Sequence, residues 1–233
     1  SPTDKIMEVL EPKSIEKQED GSYRVDFGDY ITGWTALKGF EAPAGTTIDI
    51  VHEAETGGNG VWRYVSDGKK ADYAPRFTWW AFRHIVVKGW PGELKPGDIE
   101  ARAVYTNLEK TGEFECSNPL INRIMHIWWR SETDNMHLGV ATDCPHREKN
   151  GWTGDAALSC ESALINFTVE DSYREWLNNI RKAQAESGAL PGIIPTDKYY
   201  DMNQLDGATW ERFRLYGKDN APIFETNSVA EWL

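Results

Sequence analysis

Long apolar runs are missing from this 233-residue chain. Nothing in it approaches the ~18 consecutive apolar residues of a membrane helix, so no spanning helix is expected. Positive charge is also in short supply, with 25 Lys plus Arg against 37 Asp plus Glu and a net charge of −12. Nucleic acids and anionic membrane surfaces both demand clustered basic residues, so neither is an expected partner. Cysteine is scarce too. The three present, Cys116, Cys144 and Cys160, are odd in number and form no Cys-x-x-Cys pair, and the five His form no His-x-x-x-His pair. Neither a disulfide scaffold nor a metal site is therefore expected, and no cofactor is implied. The N-terminal Ser1-Pro-Thr-Asp-Lys-Ile-Met7 lacks the apolar core of a signal peptide, which leaves cytoplasm, periplasm and exterior all open.

What the chain does have is aromatic bulk. Hydrophobic residues make up 40% of it and aromatics 12%, enough to bury a sizeable core. Eleven residues are Trp. Tryptophan suits places where an apolar face packs while its N–H finds an acceptor, as in carbohydrate sites and in ordinary cores.

The residue pattern changes once, near residue 112. Before it, short β-branched and aromatic runs alternate with Gly, Pro and Asp. Tyr23–Phe27 alternates and Gly28-Asp29 follows as a turn signal. Residues 34–40 and 46–51 flank a hairpin-like connection at 41–45. Residues 77–87 form a long aromatic run closed by Trp90-Pro-Gly92, and 99–105 alternates again. The stretch 55–72 is polar and Gly-rich and is expected to be an excursion loop. Such spacing predicts an antiparallel sandwich.

After Gly112 the period becomes helical. Asn118 can cap a helix with Pro119 at its first position, and Leu120, Ile121, Ile124, Ile127 and Trp128 form a stripe expected to face a core. A second helix is expected from about Gly154-Asp155, burying Ala157, Cys160, Leu164 and Phe167. Thr168 can cap a third, with Tyr173, Trp176, Leu177 and Ile180 on one face. Ser187-Gly188 would stop it before a rigid apolar loop at 190–195, and residues 206–216 are a further helix candidate. The expected class is α+β multidomain, with a β-sandwich accessory domain over 1–111 and a helical domain over 112–233.

The richest chemistry lies between these parts, in Asp143-Cys-Pro-His-Arg-Glu-Lys-Asn-Gly-Trp-Thr-Gly-Asp155. Its thirteen residues hold three carboxylates spaced at five and seven residues, the guanidinium of Arg147, the indole of Trp152 and three structure breakers. Sugar hydrolysis needs that combination: an acid to protonate the leaving oxygen, ionised carboxylates for hydroxyls, and an aromatic face for the ring. If the indole and a bound sugar exclude water from Glu148, it can hold a proton near neutrality. The same Glu in an Arg-Glu-Lys run also fits a plain charged surface. Asp155, where a helix begins, would be kept ionised by backbone N–H groups, or would simply cap the helix. Asp143 precedes Cys-Pro and is expected to be extended, or to serve a turn. Trp152 can stack on a pyranose or plug a core. Cys144 and His146, two residues apart with no orienting third group, do not make a nucleophile pair, and Cys144 and Cys160 are expected to be buried apolar fillers.

This loop resembles the signature of the bacterial α-L-rhamnosidases of glycoside hydrolase family 78. So do Val25-Asp-Phe-Gly-Asp-Tyr-Ile-Thr-Gly-Trp34, the run from Arg76 to Gly92, Thr111-Gly-Glu-Phe-Glu-Cys-Ser-Asn-Pro-Leu120 and the segment Gly188–Thr196, all in the family's order. The resemblance implies an inverting hydrolase of terminal α-L-rhamnosyl units, working in an (α/α)6 barrel without a required metal. Glu148 falls on the general acid. Asp143 and Asp155 fall on carboxylates that contact the sugar, with Arg147 and Trp152 beside them. Its partner would be a rhamnose-containing glycan or glycoside.

Two departures accompany the match. The family's catalytic base is a Glu far beyond the signature, whereas this chain continues for only 78 residues past Asp155. Its late glutamates, Glu211, Glu225 and Glu231, sit in no matching motif. The helical part is also too short to close a barrel. The chain is therefore expected to be the front part of a rhamnosidase and inactive alone, with exposed apolar helix faces that favour self-association or a missing C-terminal remainder. A non-catalytic carbohydrate-binding fragment, or a barrel glycosidase of other specificity, remains the alternative.

Overall fold

The computed structural model of the protein describes residues 3–54, 59–184 and 190–195. Two compact units divide them: residues 5–105 with 145–147, and residues 3–4, 106–144 and those from 148 onward.

The first unit is built on an eight-stranded sheet of β1 (Asp4–Leu10), β2 (Ser14–Lys17), β3 (Tyr23–Phe40), β4 (Thr47–Glu53), β5 (Asn59–Val65), β6 (Ala71–Tyr73), β7 (Trp80–Lys88) and β8 (Ile99–Thr106). The order is β1-β8-β3-β7-β4-β5, with β2 and β6 also paired to β3. Every pairing of β3 with β2, β6, β7 and β8, and of β4 with β5 and β7, is antiparallel. Alternation decides the faces. Tyr23, Val25 and Phe27 are buried while Arg24 and Asp26 are not, and on the neighbours Ile48, Ile50, Ile85, Val87, Ile99, Ala101 and Ala103 complete one apolar core.

β3 is where the sequence misled. Gly28-Asp29 is not a turn between strands, because β3 runs on for 18 residues. The register to β7 shifts between Asp26 and Ile31, so the turn signal marks a bulge, with Gly28 at φ 85°. The strand then lies between two neighbours, with Gly33 opposite both Trp80 and Ala103. A Cβ there would collide with the Arg102 carbonyl oxygen, and the backbone at φ 152° disfavours any other residue.

The connection at 41–45 is no hairpin either: β4 pairs with β7 and β5, while the end of β3 pairs with β6. Within the expected excursion loop, 59–65 is β5 and 71–73 is β6. The polar and glycine content hid a strand that buries Trp62 on one side and exposes Val61 and Val65 on the other. Gly60 belongs to that strand because the Trp80 ring occupies the space a Cβ would need. Residues 55–58 lie outside the described residues.

Among its described residues the second unit holds three helices, α1 (Pro119–Asp134), α2 (Thr153–Asn166) and α3 (Glu170–Ala183), with a short hairpin of β9 (Met136–His137) and β10 (Val140–Ala141) after the first. Asn118 caps α1 as expected, its side chain accepting from Leu120 N. Of the stripe, Trp128 alone packs on the core, against Phe167. Leu120 is 65% exposed and Ile124 53%, with Ile121 and Ile127 also open, and the buried residues of α1 are Glu132, Thr133 and Asp134 at its far end. Helical period groups residues on a face but carries no information about what covers that face. In α2 the buried face is Ala156, Cys160 and Ala163, rotated from the expected Ala157 and Leu164, which are half-buried. Phe167 is buried at its end.

Val169, not Thr168, precedes α3, and Thr168 instead exchanges hydrogen bonds with the backbone of Glu109. Tyr173, Trp176 and Ile180 are buried as anticipated, and Leu177 is half-buried. The 187–188 stop and the 206–216 helix fall outside the described residues. The architecture is thus an antiparallel β domain followed by helices.

Candidate active site

The loop that carries the chemistry is closed at its base by backbone geometry. Asp143 N donates to Asn150 O at 2.9 Å, Asn150 N returns to Asp143 Oδ1 at 3.0 Å, and Lys149 N donates to Cys144 O at 3.2 Å. Asp143 is therefore an organiser of the loop: its other oxygen accepts from the Cys144 thiol at 3.1 Å. Cys144 is half-exposed, contrary to the filler expected, and its sulfur accepts from Glu148 N at 3.4 Å, whereas Cys160 is buried. A Cys-Pro segment this tightly turned leaves the thiol beside the loop backbone instead of in a core.

Glu148 is exposed, and Lys149 after it adopts φ 58°, a left-handed turn that points the chain back toward Asn150. Burial pushes the Lys149 ammonium below its usual range. Trp152 neither plugs the core nor stands apart. Half-buried, it donates its indole N–H to Glu148 Oε2 at 3.1 Å. Asp155 is exposed in the first turn of α2, as its place at a helix start suggested. Arg147 is exposed and groups with the sheet unit. The structure thus joins Glu148 directly to Trp152 and places Asp143 at the base of the same loop.

What anchors the loop was not legible as site chemistry. Trp152 forms an antiparallel bridge with Ile193, Thr153 N donates to Gly192 O at 2.9 Å, and Ile194 N donates to Gly151 O at 2.8 Å. A Cβ on Gly151 would collide with the Ile194 carbonyl oxygen, so this close approach requires glycine. The buried Trp176 of α3 then fixes the 192–194 segment by donating its indole N–H to Ile194 O at 2.7 Å. The periodicity marked Trp176 as core, but no sequence signal marks its N–H as the peg of the signature loop.

A second residue escaped notice. Glu132, 8% exposed, lies in the helical core, and burial pushes its carboxyl up to about 7. Burial raises the Tyr173 phenol and the Cys160 thiol above their usual ranges, and the Glu132 charge adds to both. The folded state thus binds the Glu132 proton more tightly than the unfolded chain, where 4.5 applies. At pH 4 both states are protonated and nothing is lost. Above 4.5 the unfolded state gains by ionising, and the deficit levels off at about 3 kcal/mol beyond pH 7. Glu132→Gln should therefore stabilise the helical unit increasingly from pH 5 to pH 8. Denaturant midpoints that differ by the same amount at both pH values would refute this.

Among the described residues no group of three or more His, Cys, Asp and Glu is placed to hold a metal ion, and no helix is long and apolar enough to cross a membrane.

Comparison with known proteins places these features in a family. Residues 16–105 match the bacterial alpha-L-rhamnosidase concanavalin-like domain, and residues 109–217 match the bacterial alpha-L-rhamnosidase 6 hairpin glycosidase domain. An alpha-L-rhamnosidase of Formosa agariphila is 36% identical over 197 residues, covering 77% of this chain and 21% of that protein. The structure of the alpha-L-rhamnosidase from Dictyoglomus thermophilum superposes with a TM-score of 0.77 at 34% identity, over 95% of this chain and 27% of that one. The Streptomyces avermitilis alpha-L-rhamnosidase, solved in complex with L-rhamnose, shares the fold at 24% identity, with a TM-score of 0.79 over 94% of this chain and 23% of that one. The chain thus spans about a fifth to a quarter of the length of its relatives. With both domain models matched in order, and an α-L-rhamnosidase 36% identical over the 197 residues it shares with this chain, the chain belongs to the bacterial α-L-rhamnosidase family of glycoside hydrolases.

Proposed function

We infer that this chain contributes to the hydrolysis of terminal α-L-rhamnosyl residues from glycosides or oligosaccharides. The observation that carries the reading is the family match across both domains, with the exposed carboxylate of Glu148 on a loop anchored at both ends. In this reading Glu148 is the general acid, and Asp143, Arg147, Trp152 and Asp155 contact the sugar. The reaction inverts the anomeric centre, so a second carboxylate roughly 6.5–9.5 Å from the acid must activate water on the opposite face. In this reading the base is supplied from outside residues 1–233, and no described residue takes that role; Glu211, Glu225 and Glu231 lie outside the described residues. The working division falls near residue 111, the sheet part supporting and the helical part reacting. A rhamnose-containing glycan is the partner.

The test is an assay on p-nitrophenyl α-L-rhamnoside with the complete natural polypeptide and with residues 1–233 alone, the intact mass of each measured alongside. Release of nitrophenol by the former and none by the latter is expected. Turnover by residues 1–233 would remove the claim that the base lies elsewhere. An inactive natural polypeptide that still binds rhamnose would favour the carbohydrate-binding alternative.

A further inference from the structure

A general acid is useful only if its proton sits where the departing oxygen will be, and a glutamate on an exposed turn has several rotamers to lose before that is true. Glu148 is such a glutamate, four residues before Trp152 in a segment that is not a helix. The indole reaches it all the same, Nε1 to Oε2 at 3.1 Å. Helical spacing does not bring this about. The left-handed backbone of Lys149 and the bond from Trp152 N to Asn150 O at 3.0 Å fold the chain back, and the clamp of Gly151, Trp152 and Thr153 on residues 192–194 holds the indole in place. Behind that clamp stands the buried Trp176.

We propose that Trp152 is a positioning residue for the acid, acting through its indole N–H on Glu148 Oε2. The proposal rests on the functional reading above. An indole nitrogen donates and cannot accept. Oε2 is therefore kept as an acceptor, and the proton of the acid form resides on Oε1. That proton passes from Oε1 to the glycosidic oxygen as the bond from the anomeric carbon to that oxygen breaks, its electron pair staying on the oxygen. Water adds to the anomeric carbon and gives its proton to the base. The carboxylate left behind is stabilised at Oε2 by a hydrogen bond that strengthens as the charge appears.

Trp152→Phe in the complete natural polypeptide keeps an aromatic face and removes the N–H. With an alkyl α-L-rhamnoside, whose leaving group needs a proton, kcat should fall roughly tenfold with KM unchanged. With 2,4-dinitrophenyl α-L-rhamnoside, whose leaving group departs unprotonated, kcat should hold to within about twofold. An equal loss on both substrates, or a change confined to KM, would overturn the proposal and leave Trp152 as a sugar platform. If the wild type turns over neither substrate, the functional reading fails and this falls with it. A measurement on the wild-type fold guards against a variant that does not fold. With 5-fluorotryptophan incorporated, Glu148→Gln should move the Trp152 resonance. A resonance indifferent to Glu148 would also overturn the proposal.

Discussion

Glu148→Gln in the complete natural polypeptide should lower kcat on an unactivated α-L-rhamnoside by about 10²–10⁴-fold, the range general acids contribute. Glutamine matches the carboxyl in size and still offers an acceptor to the Trp152 indole N–H, now 3.1 Å from Oε2. The loop should keep its shape, because its base is closed by Asp143, Cys144, Lys149 and Asn150 without the Glu148 side chain. Rhamnose affinity measured calorimetrically should accordingly change little while turnover collapses. On an aryl rhamnoside with a good leaving group the loss should be much smaller, since protonation is then dispensable. A variant retaining most of its activity on an alkyl rhamnoside would remove Glu148 from the acid role, and a lost affinity for rhamnose would make it a binding residue instead.

Acid should unfold the sheet unit through His52. Its ring is fully buried, stacked on Trp80 at 4.4 Å and edge-on to Phe82. Nδ1 lies 3.2 Å from the Gly60 carbonyl and Nε2 3.3 Å from Thr35 Oγ1, which also accepts from the Trp62 indole N–H. These contacts define one neutral tautomer: Nδ1–H donates to Gly60, and Nε2 accepts from the Thr35 hydroxyl. Burial pushes the ring from 6.5 down to about 3.

Above pH 6.5 both states are neutral. Below it the unfolded chain takes up a proton that the folded one refuses, so stability falls by about 1.4 kcal/mol per pH unit, and by about 5 kcal/mol near pH 3. Asp26 adds a second loss only lower down. Its carboxyl is held at about 2, chiefly by the hydrogen bond from Arg83, against 3.8 unfolded. The window from 6.5 to 4 therefore belongs to His52. Urea midpoints of the wild type should fall steeply across it, while those of His52→Gln should be lower at pH 7 but nearly flat. Parallel curves would show that His52 does not titrate on unfolding. The helical unit should run the other way, since Glu132 costs it stability as pH rises.

Both residues show where sequence reading stops. His52 follows Ile48 and Ile50 on the buried face of an alternating strand, but nothing local names the partners of its ring, and Glu132 near the end of a helix carries no sign of burial. Similarly, the stripe from Leu120 to Ile127 has the spacing of a core face but is exposed, while α2 buries a face rotated from the one expected. Covering a face is a property of partners distant in sequence. Hidden strands are the opposite case: β5 lies inside a polar, Gly-rich stretch, and it is a strand because Thr47–Glu53 pairs with it residue by residue.

By itself the sequence determined the order of a β part and a helical part, the alternation of Tyr23–Phe27 and Ile99–Tyr105, the Asn118 cap, the signature loop and the family. These depend on local spacing and on residue types that chemistry demands together. Only the tertiary structure decided that Gly28 makes a bulge, that β4 pairs with β7, that Asp143 closes its loop, and that the Trp152 N–H meets Glu148 across a backbone pinned by Ile194 and Trp176. Those outcomes depend on which hydrogen-bonding groups come within about 3 Å of each other, a distance set by the exact backbone turns of the loop and by packing between segments far apart in the chain.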